Sequence, residues 1–286
     1  MGKIVDLSHH QPSNKINWSK ASKEIDLTII RVQYGSKTED REHKNHVANC
    51  KKYNIPYGHY AYGCFVSVND AIKEANDFLN RIDKDAKFLA LDVEDDTVKA
   101  CGTQNLAAAS QAFIDTCKKA GYKVGFYTSH ELYNKYGLNK VKADFLWLPR
   151  YGKDNGTPDL KPDYPCDLWQ YSQKCKVSWY DGLVDLNLLN GSKPLEWFTG
   201  KQVQVANTAV NTQNTTKNGG IRMYQPSNSE LMNATLRVLS RLSQKDPNGI
   251  SKDWYTKAQK GEIPLDDVVG LLYVALDREL IQGSNK

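Results

Sequence analysis

Asp92 and Glu94 stand two residues apart near the end of the run Phe88-Leu89-Ala90-Leu91-Asp92-Val93-Glu94-Asp95-Asp96. Paired carboxyls suit acid–base chemistry. Burial and a like charge nearby raise a carboxyl pKa, so one group keeps its proton near neutral pH while its neighbour ionises. In an extended strand residues two apart share a face, so the two carboxyls project side by side, with Cβ atoms roughly 6–7 Å apart. Asp6 and Asp185 occupy comparable positions in the apolar runs Lys3–Leu7 and Leu183–Leu186. The same residues also fit a solvated strand end running into an acidic loop, or a Mg²⁺ or Ca²⁺ site built from carboxylate oxygens.

The elements that must position these acids alternate along the first two hundred residues. Strands are predicted at Lys3–Leu7, Leu27–Tyr34, Tyr57–Tyr62, Lys87–Asp92, Lys123–Tyr127, Phe145–Leu148, Asp167–Gln170 and Leu183–Leu186. Many are continuous apolar runs, as in parallel strands buried on both faces. Helices are predicted at Arg41–Tyr53, Val68–Ile82, Gln104–Ala120 and Glu131–Tyr136, with Ala71, Ile72, Ala75, Phe78, Leu79 and Ile82 forming the apolar stripe of the second. Residues 151–166 and 173–182 are too polar or too short for crossover helices. The pattern predicts an α/β fold: a TIM-like (β/α)5β3 barrel with helices missing from its last third, plus a small all-α C-terminal domain. An open doubly wound sheet is the structural alternative, and no glycine-rich phosphate loop supports it.

Barrel closure makes the first and eighth strands neighbours, which puts Asp6 beside Asp185 and across the mouth from Asp92 and Glu94. Tyr60 and Tyr62 on the third strand, and Trp169 with Gln170 near the end of the seventh, are expected to add a substrate-binding surface to the same rim. Clustered carboxyls with aromatic platforms and no cysteine or histidine ligands point to glycoside hydrolysis. That reaction needs one protonated and one ionised carboxyl. His9, His10 and His59 are expected to be loop or packing residues.

Composition sets outer bounds. The chain has 286 residues, 40% of them hydrophobic, with 6 Trp and 16 Tyr and a formal charge of +5. That length supports one large core, or one core plus a small second domain. The modest charge suits an anionic bacterial wall as well as it suits nucleic acid, and no nucleic-acid signature stands out, so no nucleic-acid partner is expected. The six cysteines show no CxxC spacing and read as free thiols of a protein made in a reducing compartment. The N-terminus enters Ile4-Val5-Asp6-Leu7 without a basic and apolar leader, and no window reaches the roughly 18 apolar residues of a membrane span. The expectation is a protein made soluble in the cytoplasm, without a signal peptide or membrane insertion.

Residues 199–222 form an Asn/Thr/Gln/Gly-rich stretch that reads as a flexible linker between a barrel over 1–198 and a helical bundle over 223–286. In the bundle, Ser227 and Glu230 fit a capping box ahead of Leu231, Leu236, Val238, Leu239 and Leu242. Trp254, Tyr255 and Ala258 mark a second helix, and Val268–Ile281 a third, strongly apolar one that could pair with a second copy.

Across residues 3 to about 198 the chain resembles glycoside hydrolase family 25, the lysozymes (muramidases) common among phage endolysins. The resemblance is carried, in order, by Val5-Asp6-Leu7-Ser8 with Gln11, Ile29-Ile30-Arg31-Val32, Gly58-His59-Tyr60-Ala61-Tyr62 and Ala90-Leu91-Asp92-Val93-Glu94. Gly125-Phe126-Tyr127-Thr128-Ser129, Leu146-Trp147-Leu148-Pro149-Arg150-Tyr151, Trp169-Gln170-Tyr171-Ser172 and Val184-Asp185-Leu186-Asn187 follow. Val93, Leu148 and Pro149 depart from the residue types expected there. The resemblance implies hydrolysis of the β-1,4 bond between N-acetylmuramic acid and N-acetylglucosamine in peptidoglycan for host lysis, after membrane permeabilisation, with no cofactor and no metal. It implies Glu94 as general acid/base, Asp92 as nucleophile or as the group orienting the substrate's N-acetyl oxygen, and Asp6 and Asp185 as supporting acids. The C-terminal unit is expected to bind the wall or a secondary polymer of it, or only to dimerise or stabilise the chain. A non-catalytic sugar-binding barrel and a chitin-cleaving barrel are the other readings.

Overall fold

The computed structural model describes residues 2–200, 235–240, 253–260, 262–264 and 268. The chain divides into two units, Met1–Val205 and Ala206–Lys286. The first is a closed barrel. Its strands are β1 (Lys3–Leu7), β2 (Ile25–Tyr34), β4 (Tyr57–Tyr62), β5 (Leu89–Val93), β6 (Val124–Thr128), β7 (Phe145–Pro149), β8 (Leu168–Val177) and β9 (Tyr180–Leu189), with a two-residue β3 (Thr38–Glu39) on β2. Pairing of β1 with β2 closes the ring.

Helices follow the early strands: α1 (Trp18–Ala21), α2 (His43–Lys52), α3 (Val68–Arg81), α4 (Asp95–Cys101), α5 (Leu106–Lys119) and α6 (His130–Tyr133). Among the described residues none separates β7 from β8, or β8 from β9. The (β/α)5β3 reading therefore holds. Not every strand is parallel: β8 and β9 form a long antiparallel hairpin, and β9 runs antiparallel to β1. Residues 173–182, too short for a crossover helix, are the far end of that hairpin. Strands joined by so few residues can only pair antiparallel.

Side chains alternate between lumen and outer shell. Ile4, Leu27, Ile29, Phe88, Ala90, Phe145 and Leu168 pack in the lumen, together with Phe198 from α7 (Leu195–Thr199). The Phe88 and Phe145 rings meet edge to face at 5.1 Å. A Cβ on Gly58 would stand 2.4 Å from the Phe88 ring, and one on Gly125 2.1 Å from the Phe145 ring, so glycine makes room there for large rings. On the outside, α3 and α5 cover β4–β6 through Phe78, Phe113 and Ile114. Ser67 caps α3 by accepting the Asp70 N–H at 3.1 Å. The stripe of α3 departs from expectation in one place. Ile72 is 39% exposed and Glu74 is buried, because the Glu74 carboxylate accepts the Cys64 N–H at 3.1 Å.

Residues 235–240 and Asp253–Lys260 of the second unit are helical, and Leu239, Ala258 and Ile263 are buried together. Val238, expected on the apolar side, is 42% exposed. The expected linker beyond residue 200, and most of Val268–Ile281, lie outside the described residues. Thr199 and Gly200, assigned to the linker from the sequence, end α7. No helix among the described residues is long and apolar enough to cross a membrane. All six cysteines are unpaired.

Candidate active site

A cavity of about 150 Å³ opens at one end of the barrel, lined by Asp6, Asp92, Glu94 and Asp185 with Tyr60, Tyr127, Trp147, Tyr151, Gln170 and Gln173. Each acid arrives there by a different local device. Asp92 is the inward residue near the end of β5 and is 5% exposed. Glu94 lies one residue past the strand as the N-cap of α4, but its extended φ of −132° and ψ of −167° continue the strand's alternation. Its backbone N–H donates to Thr97 Oγ1 at 3.2 Å, and that hydroxyl donates to the Gly63 carbonyl at 2.6 Å, which ties the turn to β4. Asp6 and Asp185 are directly opposed in the antiparallel register of β1 and β9.

The two pairs differ in hydrogen bonding. Asp6 accepts from Gln170 Nε2 at 3.1 and 3.0 Å and from Asn187 Nδ2 at 2.7 Å. Gln170 is itself held, since its Oε1 accepts from the Tyr127 hydroxyl at 2.9 Å and the Tyr151 hydroxyl at 2.7 Å. Trp147 Nε1 donates to Asn187 Oδ1 at 2.7 Å and fixes that amide too. Asp92, by contrast, has a buried Oδ1 without any hydrogen-bond partner.

Burial dominates the electrostatics. It raises the Asp92 carboxyl well above the usual range, helped by the charges of Glu94 and Asp6 and opposed by Arg31. Glu94 is also raised by burial, with Asp95, Asp96 and Asp6 adding to the rise. Burial and Asp6 push Asp185 up to about 9. Asp6 is raised by burial, while the donors Asn187 and Gln170 pull it back. The cluster therefore retains protons at neutral pH, and the proton shared by Asp92 and Glu94 belongs to the pair.

Arg31 supplies a positive charge to this mouth. It projects inward from β2, in register with Tyr60. Its Nε donates to Asp40 Oδ2 at 2.9 Å, and its guanidinium contacts His9 Nδ1. His9 is thus more than loop filler, and its ring lies 4.0 Å from that of His10. His59 is buried packing, as expected.

Of the expected substrate-binding residues, Tyr60 lines the cavity. Tyr62 stands just outside its wall, in register with Asp92 and stacked on Tyr34 at 4.6 Å. The Gln170 amide is occupied at both ends by protein groups. Trp169 is not on the rim: it is 3% exposed, packs in the outer shell beside Tyr171 at 5.9 Å, and donates from Nε1 to the Arg150 carbonyl at 2.7 Å. Its neighbours Leu168 and Gln170 take the inward positions of β8. Tyr127, Trp147, Tyr151 and Asn187 were not expected as site residues. Inward alternation on β6, β7 and β9 was the available signal for Tyr127, Trp147 and Asn187, the same signal that singled out Asp6 and Asp185. Among the described residues, no group of three or more His, Cys, Asp or Glu side chains is arranged to hold a metal ion.

Residues 5–179 match the family model described as glycosyl hydrolases family 25. A lysozyme of Streptococcus phage Cp-1 is 30% identical over 125 residues, which make up 41% of this chain and 36% of that protein. The match to this curated relative thus spans little more than a third of its length. Among solved structures, the catalytic domain of endolysin ply40 from bacteriophage P40 of Listeria monocytogenes superposes with a TM-score of 0.64 at 32% identity, over 70% of this chain and 98% of that one. GHIP, a glycosyl hydrolase 25 of Streptococcus pneumoniae described as a virulence factor participating in host cell invasion, gives a TM-score of 0.64 at 26% identity, over 70% of this chain and 94% of that one.

Proposed function

Because this chain belongs to glycosyl hydrolases family 25, we propose that it is a phage endolysin acting as an N-acetylmuramidase. It hydrolyses the β-1,4 bond between N-acetylmuramic acid and N-acetylglucosamine in bacterial peptidoglycan. The observation that carries this reading is the meeting of Asp6, Asp92, Glu94 and Asp185 in one largely buried cavity with tyrosine and tryptophan walls. A cluster that holds protons at neutral pH has the acid that glycosidic cleavage needs.

Glu94 is the general acid. It donates its proton to the departing glycosidic oxygen as the C1–O bond breaks, then takes a proton from the incoming water. Asp92 is the partner carboxylate. Its unpaired Oδ1 favours acceptance of the N–H of the sugar's 2-acetamido group, which turns the acetamido oxygen toward C1. That N–H bond stabilises ionised Asp92, so substrate binding moves the pair's shared proton onto Glu94, where it is spent. Asp6, held by Gln170 and Asn187, and protonated Asp185 shape the opposite wall.

Residues 1–200 form the catalytic part on this reading, with Thr199 and Gly200 ending α7, 201–222 a linker, and 223–286 a wall-binding helical unit that takes a secondary wall polymer or pairs with a second copy. The protein is made soluble in the host cytoplasm and reaches the wall after membrane permeabilisation. The test is mass analysis of products from purified, defined cell walls. N-acetylmuramic acid at the new reducing ends is the expected result. Release of no reducing sugar rejects the muramidase in favour of a sugar-binding barrel, and cleavage of chitin oligomers alone rejects the substrate.

A further inference from the structure

A second concavity, of about 450 Å³, lies between the loop after β1 and the flank of α2, lined by Ser13, Asn14, Trp18, Glu42, Asn45 and Asn49 together with Ile16. Glu42 precedes α2, and Asn45 and Asn49 follow it at spacings of three and four, so they share one face of that helix. The wall is preset by internal bonds. The Ser13 N–H donates to Glu42 Oε2 at 3.0 Å, Asn49 Nδ2 to Ser13 Oγ at 3.1 Å, and Trp18 Nε1 to the Ser13 carbonyl at 3.0 Å. The Asn14 amide, by contrast, makes no bond inside the protein, and Asn14 and Asn45 are both exposed.

This lining selects a chemistry. It contains no lysine or arginine, so phosphate-bearing polymers meet no counter-charge. Amides, a hydroxyl and a carboxylate around an indole edge match the hydroxyls, acetamido groups and apolar ring faces of N-acetylated sugars.

The groove is also wired to the acidic mouth. The Glu42 N–H donates to Asp40 Oδ1 at 2.9 Å, while Asp40 Oδ2 accepts from Arg31 Nε at 2.9 Å and from the His9 N–H at 3.0 Å. Arg31 stands in register with Tyr60, a wall residue of the catalytic cavity. Both concavities thus belong to the end of the barrel where β1 and β2 deliver their chains.

We propose that this groove is a second glycan-binding site, which holds N-acetylated sugars of the strand away from the bond being cut. The proposal rests on the reading of the acidic mouth as a glycan-cleaving site. Its effect is on the grip on long strands and leaves the chemical step alone.

In a double variant, Asn14→Ala removes one free amide, and Asn45→Met replaces a second, which donates to Glu42 Oε2 at 3.4 Å, with a longer apolar chain that fills the groove; both positions are exposed, where substitutions cost little stability. On long peptide-free glycan strands this variant is expected to raise KM about five-fold at unchanged kcat, the size of one lost hydrogen bond. On the shortest soluble fragment that the parent chain still cuts, both constants stay as they were. Calorimetric titration of the full-length Glu94→Gln chain with a peptide-free muramic acid–glucosamine tetramer should count one site more than the same chain carrying both groove substitutions. An unchanged KM on long strands, or equal site counts, overturns the proposal. A parent chain that cuts neither substrate overturns the glycan-cleaving reading instead, and the site count still decides the groove.

Discussion

The two carboxyl pairs of the mouth are built from the same chemistry and provisioned in opposite ways. Asp6 and Asp185 come from strands 179 positions apart in sequence, and Asp6 is surrounded by donors: Gln170, Asn187 and, behind them, Tyr127, Tyr151 and Trp147. Asp92 and Glu94 are near neighbours in sequence, and Asp92 keeps a buried oxygen with no donor. A buried unsatisfied acceptor costs about 1–3 kcal/mol. Donors hold Asp6 in place, whereas on the proposed reading the Asp92 oxygen left without one is free to take a substrate group.

The largest expected effect breaks the pair of Asp92 and Glu94. Glu94→Gln keeps the shape and removes the proton that the proposed reading has Glu94 donate, and reducing-sugar release from purified wall is expected to fall about a thousand-fold. Asp92→Asn should cost nearly as much, since the two share one proton. If Asp6→Asn proved as damaging as Glu94→Gln, the distinction between the pairs would collapse.

A smaller effect is expected from undoing the provisioning. Asn187→Ala removes one donor from Asp6 and the acceptor of Trp147 Nε1. Denaturant melts should show a loss of about 1–3 kcal/mol. Turnover should drop far less than in Glu94→Gln.

A pH-dependent effect comes next. The Asp185 carboxyl ionises at about 9 in the folded chain against an ordinary value of 3.8. Between those values the folded state holds a proton that the unfolded state has released, so stability from this group is whole below pH 4 and is lost as pH rises toward 9. Asparagine does not ionise and escapes the loss. Asp185→Asn should therefore melt at a higher temperature than the parent at pH 8, with the difference shrinking as the pH approaches 4. A gap that widened in acid would contradict the assignment.

The smallest effect concerns Trp169. Trp169→Phe removes its bond to the Arg150 carbonyl and trims a buried ring in the outer shell. KM for the wall is expected to change less than two-fold, with a stability loss near 1 kcal/mol. A large rise in KM would return this ring to the sugar groove.

Strand alternation read from the chain was enough to bring Asp6, Asp92 and Asp185 inward, because side chains alternate with a period of two whatever the partner strand is. Glu94 followed although the strand ends at Val93, since the N-cap of α4 is itself extended. Trp169 escaped because Leu168 and Trp169 are both apolar, and alternation cannot choose a face when either residue suits the core. Glu74 escaped for the converse reason. Its partner, the Cys64 N–H, is a backbone group that no side-chain pattern reveals.

By itself the sequence determined the barrel class, the loss of helices in its last third and the adjacency of Asp92 and Glu94. All three follow from local periodicity and from the spacing of apolar runs. Only the tertiary structure decided that β9 enters antiparallel, that Asp6 and Asp185 meet in register, and which carboxylates are supplied with donors and which are not. Those outcomes depend on strand direction and on partners brought together from distant parts of the chain, and packing of the closed barrel settles both.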